Sequence, residues 1–244
     1  ELGVVAGTPE DLARECEVIV TCVTADADVL DLCRRIAAVA TPGLVVVDMS
    51  TIASTSAIEA AGILRAAGGD FIDAPVSGGV EGARNGKLSV MAGGESTTLE
   101  RVRPVLACFA ARITHMGPVG AGQNTKAVNQ VLVAGIAQAV TEGLALGEAL
   151  GLEADKLLPT LLAGAAQSWF LDKRGATMLR NEFGVGFKLA LLHKDLVIVQ
   201  QLARAAGTNR SVIDQSLADF AELMRQGHGN DDISGLIRLK RRSR

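Results

Sequence analysis

GPVGAGQNTKAVNQ, residues 117–130, admits two folds. It follows an apolar, strand-like run and opens a helix, as the glycine-rich turn of a βαβ unit does. Two features exclude that unit here. Thr125 stands where the third glycine of GxGxxG belongs, and the helix from about Gln123 to Leu150 runs into further helix rather than a strand. The stretch is therefore a border between two kinds of chain. Before it, strand-like runs alternate with helical patterns. The strands are VIVTCV (18–23), LVVVDMS (44–50), FIDAPVS (71–77), KLSVMAG (87–93) and ARITHMG (111–117). The helical stretches between them are 9–16, 28–40, 54–68 and 96–109. Strands apolar throughout and separated by helices indicate a mainly parallel sheet covered on both faces. After the border come only helical segments, near 154–165, 168–180, 187–206 and 210–226, with Gly151 as the stop of the long helix. The expected fold class is α/β: a doubly wound sheet domain, residues 1–119, followed by an all-α domain, residues 120–244.

Composition narrows the partners. The chain has 244 residues, 48% of them hydrophobic, and a formal charge of −3, which gives no electrostatic case for nucleic acid. The basic end RLKRRSR (238–244) reads as a solvated tail. Cys16, Cys22, Cys33 and Cys108 have no CxxC spacing and read as small core residues in a reducing cytoplasm. The first residues do not read as a signal peptide, and the longest uncharged stretch, Ala127 to Thr141, is too short and too polar to span a membrane.

Three constellations carry chemistry. In VSGGVEGARNGKLSVMAGG (76–94) a Walker loop fails, because Gly86-Lys87 is followed by Leu88 and the first glycine of the pattern falls on Glu81. What remains is Ser77-Gly78-Gly79 directly after a strand, where backbone N–H groups and a hydroxyl suit a compact carboxylate. The residues alone leave this open between an oxyanion site and a tight turn. In the border helix, Lys126, Asn129, Gln130, Val133 and Ala137 share one face. A lysine at the start of an apolar helix either has a ligand or partner, or extends to solvent from the first turn. In FKLALLHKDL (187–196), Phe187, Leu191, Lys194, Asp195, Ile198 and Leu202 fall on one helical face, so that adjacent opposite charges interrupt an apolar stripe. That pair is either a rim ion pair or a charge pair at a domain interface.

DAPVSGG, then GAGQNTKAVNQ, then F…LLHKDL, together with DMSTI (48–52) and GHGNDDISGLIRL (227–239), resemble the β-hydroxyacid dehydrogenase family in order and spacing along the whole chain. The resemblance implies a Rossmann-type sheet domain joined to a helical domain. It also implies hydride transfer between NAD or NADP and a short 3-hydroxy acid or semialdehyde, such as 3-hydroxyisobutyrate or 2-hydroxy-3-oxopropionate. Ser77, Gly78 and Gly79 would grip the substrate carboxylate, Lys126 would be the catalytic lysine, and Asn129 and Gln130 would hold the substrate's other oxygens. Val23 and Thr24 would pass the cofactor with their backbone, and Thr51 would lie against the nicotinamide. Lys194 would reach the cofactor, with Phe187 and Asp195 shaping the site; no metal is implied. The Asn-Gln pair is the one associated with tartronate semialdehyde reductases, whereas the 6-phosphogluconate branch carries His-Asn there.

The family pattern opens with a strand, a GxGxxG loop, a helix and a second strand, and Glu1 falls near its third strand. On that alignment the Rossmann domain is partial, Gly3 to Ala6 belong to the third strand, and VIVTCV is an apolar sheet edge. Two readings follow. The chain is part of such an enzyme, or it is a non-enzymatic remnant acting as a binding or structural module. The very apolar helical domain points to a homo-oligomer.

Overall fold

The computed structural model describes residues 7–184 and 186–241. The chain divides into two compact units, Glu1–Lys126 and Ala127–Arg244. The strand expected near Gly3 to Ala6 lies outside the described residues.

The first unit contains, in order, α1 (Pro9–Glu15), β1 (Val18–Thr21), α2 (Asp26–Ala37), β2 (Val45–Asp48), α3 (Ser54–Ala66), β3 (Asp70–Asp73), β4 (Val76–Ser77), α4 (Gly79–Arg84), β5 (Leu88–Gly93), α5 (Ser96–Leu106) and β6 (Ala110–Gly117). The valine-rich runs form a parallel ladder: Val18, Ile19 and Val20 lie opposite Val45, Val46 and Val47, and these lie opposite Asp70, Phe71 and Ile72. Period-two alternation then sorts the side chains. Ile19, Val46 and Phe71 pack with α1, α2 and α3 on one face. Val45, Val47 and Ile72 pack with α5 on the other. Both faces are covered, as the apolar strands required.

The sheet is less parallel than the strand pattern suggested. FIDAPVS is two strands, because Pro75 has no N–H to continue the ladder. Pro75 instead offers its carbonyl to the N–H of Met91 at 3.0 Å. Beyond the break, β4 pairs antiparallel with β5, and β5 pairs parallel with β6. Among the described residues, β1 pairs only with β2.

The second unit is helical. The helix α6 (Ala121–Ala149) begins in the first unit and continues through the second, followed by α7 (Ala154–Leu162), α8 (Trp169–Leu179), α9 (Leu189–Ala205), α10 (Ser211–Arg225), a 3₁₀ turn at Ile233–Leu236 and α11 (Ile237–Lys240). α6 is long and apolar enough to cross a membrane by length and composition. Its Ala134, Ala137, Leu144 and Ala145 pack in a core with Leu189, Leu192, Leu196 and Phe220, the placement of a core helix.

Three expectations are corrected. Only Cys33 is a core cysteine, and burial pushes its thiol up to about 12; Cys16 is half-buried, and Cys22 and Cys108 are exposed. The basic end is docked as far as Arg241: Arg238 pairs with Asp231 at 2.8 Å, Lys240 with Asp219 at 2.9 Å and Arg241 with Glu148 at 2.7 Å. The α9 stripe is displaced. Leu189, Leu192, Asp195, Leu196 and Val199 are buried, whereas Leu191 is 38% exposed and Phe187 precedes the helix.

Candidate active site

In the sheet unit the site is built on strand ends. Lys126 lies in the second turn of α6 and is 8% exposed, so it does not extend to solvent. Its Nζ donates to the carbonyl of Val76 at 2.8 Å. A contact across 50 residues therefore joins the lysine to the first residue of the Val76-Ser77-Gly78-Gly79 run. Gly78 and Gly79 have φ of +130° and +62°, a backbone that L side chains resist. This sharp turn leads straight into α4, which the glycine-rich sequence did not disclose. A Cβ at Gly79 would meet nothing within 4 Å, so the space beside this turn is open.

A buried polar network supports that corner. Asp48 Oδ1 accepts from Thr21 Oγ1 at 2.8 Å and from Ser50 Oγ at 2.7 Å. Ser50 Oγ in turn accepts the N–H of Val23 at 2.8 Å. Gln123 Nε2 donates to the Ser50 carbonyl at 2.8 Å, and Gln123 Oε1 accepts the N–H of Ile52 at 3.2 Å. The backbone on both sides of half-buried Thr51 is thereby held by one carboxamide. The N–H groups of Gly120 and Gln123, at the start of α6, donate to the two Asp73 oxygens at 2.8 and 2.9 Å. Burial raises the Asp73 carboxyl to about 6, with these N–H groups acting in the opposite direction. Gly122 permits the approach, since a Cβ there would run into the carbonyl oxygens of Met91 and Asp73. Asp73, Gly122 and Gln123 were not singled out from the sequence. Asp73 stands out only as a carboxylate in an apolar strand run, while Gly122 and Gln123 sit in a polar, glycine-rich helix start where nothing distinguishes them.

The helical unit carries a second chain of contacts. Asn129 Nδ2 donates to Gln130 Oε1 at 2.8 Å, and Gln130 Nε2 donates to Asp195 Oδ2 at 2.6 Å. Lys194 Nζ lies 3.1 Å from Asp195 Oδ1. Gln130 is 1% exposed and Asp195 4%, so this is a buried polar cluster in which Lys194 and Asn129 are the more accessible ends. Phe187 is not part of it. Its N–H donates to Asp232 Oδ2 at 2.8 Å, while Asp232 Oδ1 accepts the N–H of Ser234 at 2.9 Å. Asp232, in the stretch 227–239, is thus the anchor of the segment before α9.

The strand-end donor set fits the nicotinamide half of a dinucleotide. Exposed Thr24 and half-buried Thr51 follow the carboxyl ends of adjacent parallel strands, where open α/β sheets bind ligands, and the neighbouring backbone of Val23, Ser50 and Ile52 is fixed by Ser50 and Gln123 side chains.

Comparison with known proteins identifies the class of cofactor. Residues 2–117 match the family model of the NAD binding domain of 6-phosphogluconate dehydrogenase. Residues 120–240 match that described as NAD-binding of NADP-dependent 3-hydroxyisobutyrate dehydrogenase. An uncharacterized oxidoreductase of Shewanella frigidimarina is 36% identical over 97% of this chain and 82% of its own. The 2-hydroxy-3-oxopropionate reductase of Escherichia coli is 40% identical over 68% of this chain and 57% of its own. The structure of Mycobacterium tuberculosis 3-hydroxyisobutyrate dehydrogenase with L-serine superposes with a TM-score of 0.87 at 31% identity, covering 96% of this chain and 82% of that one. Motifs, fold and relatives converge: the chain belongs to the β-hydroxyacid dehydrogenase family of NAD(P)-dependent oxidoreductases.

Proposed function

We propose that the protein interconverts a short 3-hydroxy acid and its semialdehyde, of the 2-hydroxy-3-oxopropionate or 3-hydroxyisobutyrate type, with Lys126 as its acid and base. The observation that carries this reading is the buried Lys126 ammonium, 2.8 Å from the carbonyl that opens the Ser77-Gly78-Gly79 turn. The turn offers a carboxylate a hydroxyl and open backbone, and the lysine stands beside it.

When bound, the nicotinamide supplies the hydride to the carbonyl carbon, or accepts it in the oxidative direction. The backbone of Val23 and Thr24, together with Thr51 and Lys194, would hold it, with Phe187 and Asp195 shaping the site. The Val23 N–H is already engaged by Ser50, so Val23 meets a ligand through its other groups. In reduction the carbonyl π pair moves to oxygen, and that oxygen takes a proton from Lys126 Nζ. The lysine is left neutral and regains its proton from solvent. The same ammonium stabilises the developing oxyanion before the proton moves. In oxidation the neutral amine takes the hydroxyl proton. Asn129 addresses a further substrate oxygen, and Gln130, engaged by Asn129 and Asp195, holds its neighbour in place.

The proposal extends to compartment and assembly. Free thiols at Cys16, Cys33 and Cys108 suit the cytoplasm. The exposed apolar side chains of α6 suit association with a second copy. The decisive experiment is Lys126→Ala. Turnover of 2-hydroxy-3-oxopropionate with NADPH or NADH should fall by roughly 10²–10⁴-fold, the scale of a positioned acid or base. Near-normal turnover in this variant removes the assignment.

A further inference from the structure

We propose that Gln123 is a positioning residue that holds Thr51 and Lys126 in one frame, and so sets the alignment required for hydride and proton transfer. The inference rests on the functional reading above, in which Thr51 faces the nicotinamide and Lys126 the substrate oxygen.

Gln123 is 3% exposed, and its main-chain N–H and both carboxamide atoms bond to protein. Its main-chain N–H is fixed to Asp73 at the end of β3. Its carboxamide spans Thr51, donating to Ser50 and accepting from Ile52. Lys126 follows one turn later in the same helix and reaches the carbonyl of Val76 at the start of β4. One residue thus ties together the ends of β2 and β3 and the turn of α6 that carries the lysine.

The chemistry of the side chain is specific to this task. Bridging a carbonyl and an N–H two residues apart needs one donor and one acceptor on a short planar group. Glutamate loses the donor and sets negative charge against the Ser50 carbonyl. Asparagine is one methylene too short. Methionine keeps length and volume and loses both hydrogen bonds. The clamp also reaches Val23, because Ser50, whose carbonyl it holds, accepts the Val23 N–H through Oγ. A slackened clamp therefore loosens the loops after β1 and β2 together. Misplacement by about 1 Å at a reacting centre costs on the order of 10²-fold in rate, even from groups far from the chemistry.

The test compares wild type, Gln123→Met, Gln123→Glu and Lys126→Ala. Without cofactor, the Ile52 amide in Gln123→Met, which lacks the acceptor, should exchange its hydrogen at least about tenfold faster, whereas Gln123→Glu keeps that acceptor and loses only the bond to Ser50. With 2-hydroxy-3-oxopropionate and NADPH or NADH, whichever supports turnover, kcat should fall roughly 10–100-fold while the KM for the semialdehyde stays within about threefold. The primary isotope effect from cofactor deuterated at the transferring position should rise, because misalignment slows the hydride step itself. A purely structural role would lower the thermal midpoint and the active fraction but leave kcat per active site and the isotope effect unchanged. Wild-type kcat and isotope effect alongside fast Ile52 exchange in Gln123→Met would overturn the proposal, as would unchanged Ile52 protection in that variant. If Lys126→Ala is inactive while Gln123→Met turns over normally, the proposal alone falls. If Lys126→Ala turns over normally, the functional reading falls and takes the proposal with it.

Discussion

Asp73 is a buried carboxylate set against the start of a 29-residue helix. Two backbone N–H groups and the positive end of the helix favour its charged form. Burial opposes them and is the larger effect, so the group titrates near 6 instead of its ordinary 3.8. The sign follows from proton linkage. Between about pH 4 and pH 6 the folded protein holds a proton here that the unfolded chain has released. The contribution of Asp73 to stability is therefore fully present below about 4 and is lost as pH rises through about 6. Two pH units correspond to about 3 kcal/mol as an upper bound. NMR titration of the Asp73 carboxyl should give a midpoint near 6. Asp73 contributes a negative slope of unfolding free energy against pH between 4 and 6, so that slope, measured by urea denaturation, should be more positive in Asp73→Asn than in the wild type. A carboxyl midpoint near 4 would show that the helix N–H groups outweigh burial.

At the scale of elements, α6 is pressed onto the sheet unit by the absence of a side chain. Ala at position 122 would gain about 1 kcal/mol of helix propensity over glycine. Its Cβ, however, would collide with the carbonyl oxygens of Met91 and Asp73, which are backbone and cannot swing aside. Overpacking of this kind costs about 3 kcal/mol or more, so the clash wins. Gly122→Ala should lower the urea midpoint without changing the slope, and a midpoint at or above the wild-type value would contradict the close approach. The sequence could not disclose this contact, because it brings together residues far apart in the chain. The strands β1 and β2 were readable from their valine runs, since period and composition suffice for a two-sided strand. The break at Pro75 was readable in principle, but the apolar run concealed it. The helix α4, with two glycines in six residues, violates helix propensity and is held by its place between β4 and β5. The sequence pattern puts Phe187 on the face of α9, but Asp232 holds the Phe187 N–H outside the helix, and the buried face of α9 shifts accordingly. Lys126 and Ser77 were identifiable by type and motif, but the contact at the Val76 carbonyl needed the fold. Gln123 looked like an ordinary first-turn polar residue, and only its burial distinguishes it.

At the scale of the whole molecule, each unit closes its own core, yet α6 leaves an apolar face uncovered. Val128, Leu132 and Leu146 are 62%, 61% and 59% exposed and at 100° per residue fall within about 40° of one another around the helix, and Leu150, just past its last residue, is 66% exposed. Ile136 adjoins them, and the exposed Ala139 and Gly143 lie between. A continuous stripe of this kind is unusual on a monomer, and the proposed association is assigned to it. Its small central residues allow a close approach, and a second copy of the same helix presents an equally apolar face, so a symmetric pairing hides both stripes at once. Burying a leucine in such a contact contributes roughly 1.5–3 kcal/mol, and a glutamate at the same place must instead be desolvated. Leu132→Glu combined with Leu146→Glu should therefore shift the protein to a lower mass in sedimentation velocity, with its far-ultraviolet circular dichroism unchanged because neither side chain serves the core. An unchanged sedimentation coefficient, at a mass above that of one chain, would assign the assembly to another surface. A wild-type protein that sediments as a single chain at micromolar concentration would remove the proposed association altogether.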